Sequence, residues 1–320
     1  MRYYGAMRRA PPFVTILGTT SQGDININMR IFVTGATGFI GSAVVPELIE
    51  AGHQVLGLAR SEAGATALKA VGAEVHRGEL TDLESLRKGA EQSDGVIHLA
   101  FIHDFSKFQE NCEIDRRAIE AIGSVLAGSN RPLIVTSGLA GLAKPGELAT
   151  EDMDVPMDFP FPRISEQTAF SLKGVNAAVV RLPQVHDTAK QGLVTYLIAL
   201  AREKGVSAYV GDGGNRWAAA AVADVARLYR LVLDKNEAGA KYHAVAEEGV
   251  TLRDIAEAIG RGLQIPVQSV SPDEAESHFG WLAQFATLDL QASSAKTRER
   301  LGWQPTGPGL ITDLHHMRYY

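Results

Sequence analysis

A glycine-rich stretch near the start of the chain restricts the fold more than any other feature. Residues 34–41 read TGATGFIG and stand between RIFV, a β-branched run, and a segment with helical spacing. Gly35 permits a tight turn, Gly38 lets the backbone approach a pyrophosphate, and Gly41 lets the helix pack closely on the strand. The helix start offers free N–H groups to phosphates. The motif predicts a dinucleotide site, with a ligand-free turn as the alternative. Its expected contacts are Gly35, Thr37, Gly38, Phe39, Ile40 and Gly41.

Strand-like and helix-like segments alternate from Arg30 onward. The strand-like runs are RIFVT, QVLGLAR, AEVHRG, DGVIHLA, RPLIVTSG and NAAVVRL. Segments with helical spacing stand between most of them, and Asp82 is a plausible N-cap of one. This rhythm predicts an α/β fold, a Rossmann-type doubly wound parallel sheet with helices on both faces.

The same reading divides the chain into three parts. Residues 29–182 are expected to form the nucleotide-binding domain. After Leu182 loops and helices replace the alternation, which predicts a small C-terminal substrate lobe over residues 183–320, with some segments returning to the main domain. Such a lobe would cover the carboxyl ends of the strands, where open parallel sheets bind ligands. Residues 1–28 contain three arginines and one acid, and we expect a disordered extension there, with a targeting segment as the alternative.

The end of the second strand indicates which dinucleotide is bound. Arg60 stands 19 residues after Gly41, where an NAD-binding chain usually has an acidic residue for the ribose hydroxyls. A guanidinium can instead pair with a 2′-phosphate, and Ser61 could add a hydroxyl. These residues favour NADP over NAD, with a solvated strand-end arginine as the alternative. After the third strand, Glu79 could accept a hydrogen bond from the adenine amino group while Leu80 packs on its face.

Charge and composition exclude several classes of function. The net charge is −6 and the pI is about 5.9, so the surface would not attract a nucleic acid. The sequence has no apolar run of about 18 residues, so we expect no membrane span. The single cysteine, Cys112, fits a reducing, cytoplasmic compartment. No spacing typical of metal ligands is found, and we expect no metal.

Five motifs in order resemble the extended and atypical short-chain dehydrogenases/reductases, including the epimerase/dehydratase and 3β-hydroxysteroid dehydrogenase-like proteins. They are the glycine motif, HLA at residues 98–100, RLPQVHD at 181–187, Arg216 through Asp224 to Ala226, and the closing SSAKTRERLGWQP. The resemblance implies the same fold and a nicotinamide cofactor. It also implies a possible homodimer formed through the long helix FQENCEIDRRAIEAIGSVLAG. Further cofactor contacts are expected at strand ends, namely Leu99, Ala100, Phe101, Thr136 and Pro183.

The catalytic motif of that family is missing. Typical members use Y-x-x-x-K with a Ser or Thr, where the tyrosine transfers the proton and the lysine lowers its pKa. The matching stretch here is FPRISEQTAF, which puts Pro162 at the tyrosine position and Glu166 at the lysine position. Gly138 stands at the third position. We expect Glu166 to be a helix-start residue rather than a general base.

Other proton donors must then be considered. His103 follows the fourth strand on a loop that would face the cleft, and a neutral imidazole suits proton transfer near pH 7. His186 follows the sixth strand, and Ser137 could donate a hydrogen bond to a carbonyl group. The alternatives are a surface histidine at 103 and a packing residue at 186. Asp115 is expected either to hold a water or to be a solvated or capping acid, and His98 to be a core residue.

Three functions remain open from the sequence. The first is an NADP-dependent oxidoreductase acting on a small carbonyl or alcohol, such as a secondary metabolite, with Arg216 and Trp217 as substrate contacts. The second is a non-redox NADP-binding sensor or regulatory protein, which the missing relay would favour. The third is an epimerase or dehydratase, which would also need acid–base groups.

Overall fold

A computed structural model describes residues 28–156 and 162–319. The strands are β1 (Arg30–Thr34), β2 (Gln54–Ala59), β3 (Glu74–Arg77), β4 (Gly95–His98), β5 (Pro132–Gly138), β6 (Asn176–Leu182), β7 (Gln184–His186), β8 (Ser207–Val210), β9 (Arg216–Ala221), β10 (Lys241–His243), β11 (Glu247–Thr251) and β12 (Val267–Val270). The helices are α1 (Gly41–Glu50), α2 (Glu62–Ala70), α3 (Leu83–Glu91), α4 (Phe108–Leu126), α5 (Ser165–Ser171), α6 (Val194–Lys204), α7 (Val222–Lys235), α8 (Leu252–Leu263), α9 (Ala275–Phe279), α10 (Ala283–Ala286), α11 (Ala295–Leu301) and α12 (Leu310–His316). All six strands expected from the sequence are present. The extension expected at residues 1–28 lies almost entirely outside the described residues.

A seven-stranded parallel sheet forms the centre of the fold, with strand order β10-β6-β5-β4-β1-β2-β3. The predicted doubly wound α/β architecture is therefore confirmed. The chain order reverses between β1 and β4, and in such sheets the ligand crevice opens at that point. The seventh strand, β10, comes from the part of the chain after residue 182. The domain boundary at 182 stays a prediction.

The two faces of the sheet build separate cores. Along β1, Ile31 and Val33 point to one face and pack with Leu48 of α1 and Tyr229 of α7. Phe32 points to the opposite face, toward α3 and α4. This follows from the two-residue repeat of a strand. Because both faces are covered, most strand residues are apolar, as is typical of parallel sheets, whereas the edge strand β3 is largely polar.

Two small sheets carry much of the remaining chain. Strand β9 pairs in parallel with β7 and antiparallel with β11, while β12 pairs in parallel with β8. A separate apolar cluster joins these strands to α6, α8 and α12. In the described ranges, no helix is long and apolar enough to cross a membrane. This cluster places the aromatic residues of α6 and α10 above the edge of the main sheet.

A buried carboxylate ties the closing motif to the main domain. The oxygens of Asp224, in the first turn of α7, accept hydrogen bonds from the backbone N–H groups of Thr306 (3.0 Å) and Gly307 (2.8 Å). Arg227 also donates to it, and the Asp224 carbonyl accepts from Nε1 of the buried Trp303 at 3.0 Å. Two of the five family motifs therefore meet in a structural contact.

The contacts of Asp224 lead to a stability prediction. We expect Asp224→Ala to lower the free energy of unfolding by about 3 kcal/mol, because two backbone N–H groups and the Arg227 guanidinium lose a buried, charged acceptor. Urea denaturation measures the change. The exposed Asp273, at the start of a short 3₁₀ turn, gives the control Asp273→Ala. A loss below about 0.5 kcal/mol for Asp224→Ala, the range of ordinary surface changes, would contradict this role.

Candidate functional site

A cavity of about 680 Å³ opens at the carboxyl ends of the main-sheet strands. It extends from the loop after β3, across β1 and β4, to the segment after β6. Most residues expected from the sequence line it. They are Gly35, Thr37, Gly38, Phe39, Ile40, Gly41, Arg60, Glu79, Leu80, Leu99, Ala100, Phe101, His103, Ser137, Pro183 and Trp217. The structure thus brings residues from both parts of the chain to one site.

Close packing fixes the glycine turn. Gly35 has φ +68°, and a Cβ there would lie 2.7 Å from the backbone nitrogen of Ala100. A Cβ on Gly41 would overlap the carbonyl oxygen of Gly35, and one on Gly38 would lie 3.1 Å from the same oxygen. Larger residues at 35 and 41 would therefore push β1, β4 and α1 apart.

The turn leaves backbone donors available at the start of α1. Gly38 N–H is bonded to the Gly35 carbonyl. In the described chain, by contrast, the N–H groups of Phe39, Ile40 and Gly41 have no hydrogen-bond acceptor. The first turn of α1 contains no acid. Unpaired N–H groups and the helix dipole make this wall suitable for a diphosphate.

Arg60 follows β2 and is exposed on the cavity wall. Its guanidinium forms no ion pair with any described residue. The neighbouring Arg77 is occupied, since it binds Glu62 and the Ser61 carbonyl. The hydroxyl of Ser61 caps α2 by accepting from Gly64 N–H at 3.1 Å. Arg60 is therefore the cation available at this end of the cavity, whereas Ser61 does not line it.

Two more expected contacts lie outside the cavity lining. Thr136 is buried, and its hydroxyl donates to the His98 carbonyl (2.8 Å) and bonds the Tyr229 hydroxyl (2.7 Å). Arg216 is exposed on β9, and only its neighbour Trp217 reaches the cavity. The expected positions of Ser61, Thr136 and Arg216 are thus corrected. Local sequence could not show which way these side chains turn.

The expected position of His186 is also corrected. Its side chain is fully buried, and Nδ1 lies 2.7 Å from Oδ2 of Asp313 in α12. Nε2 has no hydrogen-bond partner among the residues that the structure describes. The alternative of a packing residue describes this geometry, because the fully buried His186 ring bonds Asp313 and does not line the cavity.

Pro162 and Glu166 occupy the sequence positions where the family has its catalytic tyrosine and lysine. Pro162 is exposed, and Glu166 is buried in the first turn of α5. Both Glu166 oxygens bind the fully buried Arg181, with Oε2–Nε at 2.7 Å and Oε1–Nη2 at 2.5 Å. Glu166 is therefore a helix-start residue, as expected, but Arg181 neutralises it. Neither position lines the cavity.

A buried hydrogen-bond chain runs beneath the cavity floor. Thr34 Oγ1 and His98 Nδ1 lie 2.9 Å apart, and His98 Nε2 is 3.2 Å from Asp115 Oδ1. The Ser165 hydroxyl donates to Asp115 Oδ2 at 2.5 Å and accepts from Arg163 Nε at 3.0 Å. Burial raises the pKa of Asp115, but His98, Arg163 and Ser165 together hold it below its ordinary value. Asp115 is thus neither solvated nor a capping acid.

The sequence reading missed two cations on the cavity wall. Arg163 places its guanidinium carbon 4.2 Å from the centre of the Phe101 ring, and Nη2 donates to the Thr136 carbonyl at 3.2 Å. Lys190 Nζ lies 5.7 Å from the Phe39 ring. Arg163 stands just before α5 and Lys190 follows β7, both within ordinary loop sequence, so only the assembled fold reveals them.

The two remaining candidate proton donors, His103 and Ser137, lie at the same end of the cavity as Arg163 and Lys190. The His103 ring is exposed to the cavity, yet the protein around it lowers its pKa, as do the charges of Arg163 and Lys190. A hydrogen bond to the Phe101 backbone opposes this shift only in part. The imidazole is therefore neutral at pH 7. The Ser137 hydroxyl is half-buried and has no hydrogen-bond partner among the described residues.

Aromatic rings form the rest of the cavity wall near His103 and Ser137. The Phe105 ring lies 5.5 Å from Phe108, 5.8 Å from Tyr196 and 5.6 Å from Phe285. The Trp217 ring is buried, and its Nε1–H has no partner in the described ranges. No group of three metal-binding side chains lies together in the described part of the chain. The wall is thus apolar and aromatic, with a few polar groups.

The chain is similar to several known proteins. A family model described as the NAD dependent epimerase/dehydratase family matches residues 31–152. An uncharacterized protein of Schizosaccharomyces pombe is 52% identical over 296 residues, which cover 91% of this chain and 100% of that protein. A decarboxylating sterol-4-alpha-carboxylate 3-dehydrogenase of Dictyostelium discoideum is 26% identical over 70% of this chain and 73% of its own.

A solved structure shows the same fold. The UDP-glucose 4-epimerase of Thermus thermophilus, in complex with NAD, is 21% identical, covers 91% of this chain and 99% of its own, and has a TM-score of 0.68. The chain belongs to the NAD dependent epimerase/dehydratase family of extended short-chain dehydrogenases/reductases.

Proposed function

We propose that the protein is an oxidoreductase that uses a nicotinamide cofactor, NADP in preference to NAD, and acts on a small carbonyl or alcohol. One observation carries this proposal. A single cavity joins the unpaired N–H groups of the glycine turn and the unpaired Arg60 to the free hydroxyl of Ser137 and the neutral ring of His103. A phosphate-binding end and a proton-transfer end therefore share one space.

The residues present fit such a cofactor. The N–H groups at the start of α1 would bind the diphosphate, and the fork of Arg60 would bind the 2′-phosphate. Glu79 would accept from the adenine amino group, and Leu80 would cover one face of the ring. When bound, the nicotinamide ring supplies or accepts a hydride. The Dictyostelium relative is named a 3-dehydrogenase, which supports redox chemistry.

Two side chains would handle the proton. The Ser137 hydroxyl would donate a hydrogen bond to the substrate oxygen, and His103 would give or take the proton from the same side. Its lowered pKa keeps His103 neutral, so it would act as a base in alcohol oxidation. The absence of the Tyr–Lys pair supports the second candidate, a non-redox NADP sensor.

The proposals on cellular location and oligomeric state rest on the sequence alone. We propose a cytoplasmic protein with a possible homodimer through α4. That helix carries exposed ion pairs of Arg116 with Glu113 and Glu120. Trp217 remains the proposed substrate contact on β9.

The glycine turn gives the first test of the cofactor site. Gly35 and Gly72 both have left-handed backbones, with φ +68° and +87°, but a Cβ on Gly72 would meet nothing within 4 Å. We expect Gly72→Ala to cost about 1 kcal/mol of stability from strain alone and to leave NADPH affinity unchanged. Gly35→Ala should weaken NADPH binding at least about tenfold, or 1.4 kcal/mol, in calorimetry on folded protein. Equal NADPH affinity in the two variants would contradict the role of the turn.

Arg60 tests the choice of cofactor. A charged hydrogen-bond pair contributes about 1.5–3 kcal/mol, so Arg60→Ala should raise the Kd of NADPH by about tenfold or more. The Kd of NADH should change by less than about twofold, because NADH has no 2′-phosphate. Arg87→Ala, on α3 and paired with Glu84, is the matched control. A similar loss of affinity for both cofactors in Arg60→Ala would refute the 2′-phosphate contact.

His103 tests the chemistry. In a screen of alcohols with NADP⁺ at 340 nm, we expect oxidation to slow as pH falls through the His103 pKa, which lies below the ordinary 6.5. Below that pH the protonated ring cannot accept a proton. His103→Ala should lower kcat about a hundredfold and remove this acid limb, whereas Ser137→Ala should lower kcat and keep it. The exposed His316→Ala is the control.

The same screen separates the two candidate functions. Turnover that survives unchanged in His103→Ala would exclude this histidine as the base. Tight NADPH binding without turnover of any alcohol, ketone or aldehyde would favour the sensor. A protein that takes up no nicotinamide dinucleotide would end both proposals.

A further inference from the structure

The geometry points to the class of substrate: an aromatic compound that carries a carboxylate, with its ring held by the aromatic wall and its anion by Arg163. This inference rests on the proposed function, because it concerns the substrate end of the same cavity.

The aromatic wall suits a flat apolar ring. Phe105 stacks on Trp281 with ring centres 4.3 Å apart and meets Tyr196 edge-on at 5.8 Å. Phe285 closes the same corner, with its ring 5.6 Å from that of Phe105. Such rings gain energy from offset or edge-to-face contact with another ring. A sugar would meet few hydrogen-bond partners here, and Gln184 is already occupied by Gln191 and Leu193.

Arg163 is a cation without a carboxylate partner among the described residues. Nε donates to the Ser165 hydroxyl at 3.0 Å, and Nη2 donates to the Thr136 carbonyl at 3.2 Å. No described residue accepts from Nη1. The Phe101 ring beneath the guanidinium, 4.2 Å away, and the Ser165 hydroxyl, held by Asp115, fix its plane. A fixed, partly unpaired guanidinium is well suited to a carboxylate ligand.

The charge of this end of the cavity is positive. Arg163 and Lys190 line it, whereas the lining acid Glu79 belongs to the far end beyond β3. Both cations lower the pKa of His103. Asp104, next to His103 in the chain, is exposed, and its carboxylate accepts hydrogen bonds from the N–H and the hydroxyl of Ser106. The buried Asp115 lies behind the Ser165 hydroxyl and is bonded to His98. An anionic ligand bound at Arg163 would offset the positive charge of Arg163 and Lys190, and it would therefore raise the pKa of His103.

Matched probes test the inference on protein saturated with NADP⁺. Calorimetry would compare 2-naphthoate with 2-naphthamide, which has the same shape and no charge, and with acetate, which has the charge and no ring. We expect naphthoate to bind at least about tenfold more tightly than naphthamide, since one charged pair contributes more than 1.4 kcal/mol. Acetate should bind more weakly than either probe.

Arg163→Gln should remove most of this preference. We expect naphthoate and naphthamide to bind the variant within about threefold of each other, while NADPH affinity stays as in the wild type. Arg87→Gln is the matched control and should keep the full difference. A second readout needs no variant at the anion site. In NMR titrations of the wild-type protein, naphthoate should raise the pKa of His103 and naphthamide should not, with His103→Gln identifying the signal.

Each other outcome overturns a defined part of the inference. Equal affinity for naphthoate and naphthamide in the wild type would refute anion recognition. Equal affinity for acetate and naphthoate would refute the aromatic wall. UDP-glucose binding more tightly than any of these probes would replace the class with a sugar nucleotide. Failure to bind NADP⁺ or NADPH would instead refute the proposed function itself, so the two failures are distinguishable.

Discussion

The close approach of three chain segments at Gly35 sets the rest of the structure. The turn can hold φ +68° and touch the backbone of Ala100 because residue 35 has no side chain. Gly41 then brings α1 against the Gly35 carbonyl. This packing locks β1 beside β4 at the point where the strand order reverses. It therefore fixes the positions of the unpaired N–H groups of α1 and of the cavity opening.

Buried charges divide into two groups around this framework. Glu166 with Arg181, and Asp224 with the closing segment, are neutralised, and each pair holds neighbouring segments of its own part of the chain together. Breaking such a buried contact leaves an uncompensated charge, which is strongly destabilising. Arg60 and Arg163, in contrast, face the cavity without a carboxylate partner among the described residues. Because these two arginines lack a carboxylate partner there, we infer that they bind anionic ligands rather than stabilise the fold.

The sequence predicted the features that local patterns encode. The strands of the main sheet follow from apolar runs, and the glycine turn and Arg60 follow from their spacing along one β–α–β unit. The aromatic wall was not predictable, because Phe105, Tyr196 and Phe285 meet only after the small sheets dock on the main one. His186 was misplaced because its partner Asp313 lies far away in the sequence and meets it only in the folded protein. Arg163 was not predicted, because no local pattern shows that its guanidinium turns over the Phe101 ring.

The tyrosine and lysine of typical relatives are missing, but in the proposed reaction other side chains at the substrate end of the cavity would take over their roles. The lysine of typical relatives supplies positive charge, and in the proposed reaction Lys190 would supply it here, while Arg163 binds the carboxylate of the substrate. Fixed positive charge stabilises the negative oxygen that develops as the alcohol loses its proton, and this contribution is often the largest in such reactions. A weak base is then sufficient to take that proton. The neutral imidazole of His103 is such a base, and the Ser137 hydroxyl would donate a hydrogen bond to the same oxygen.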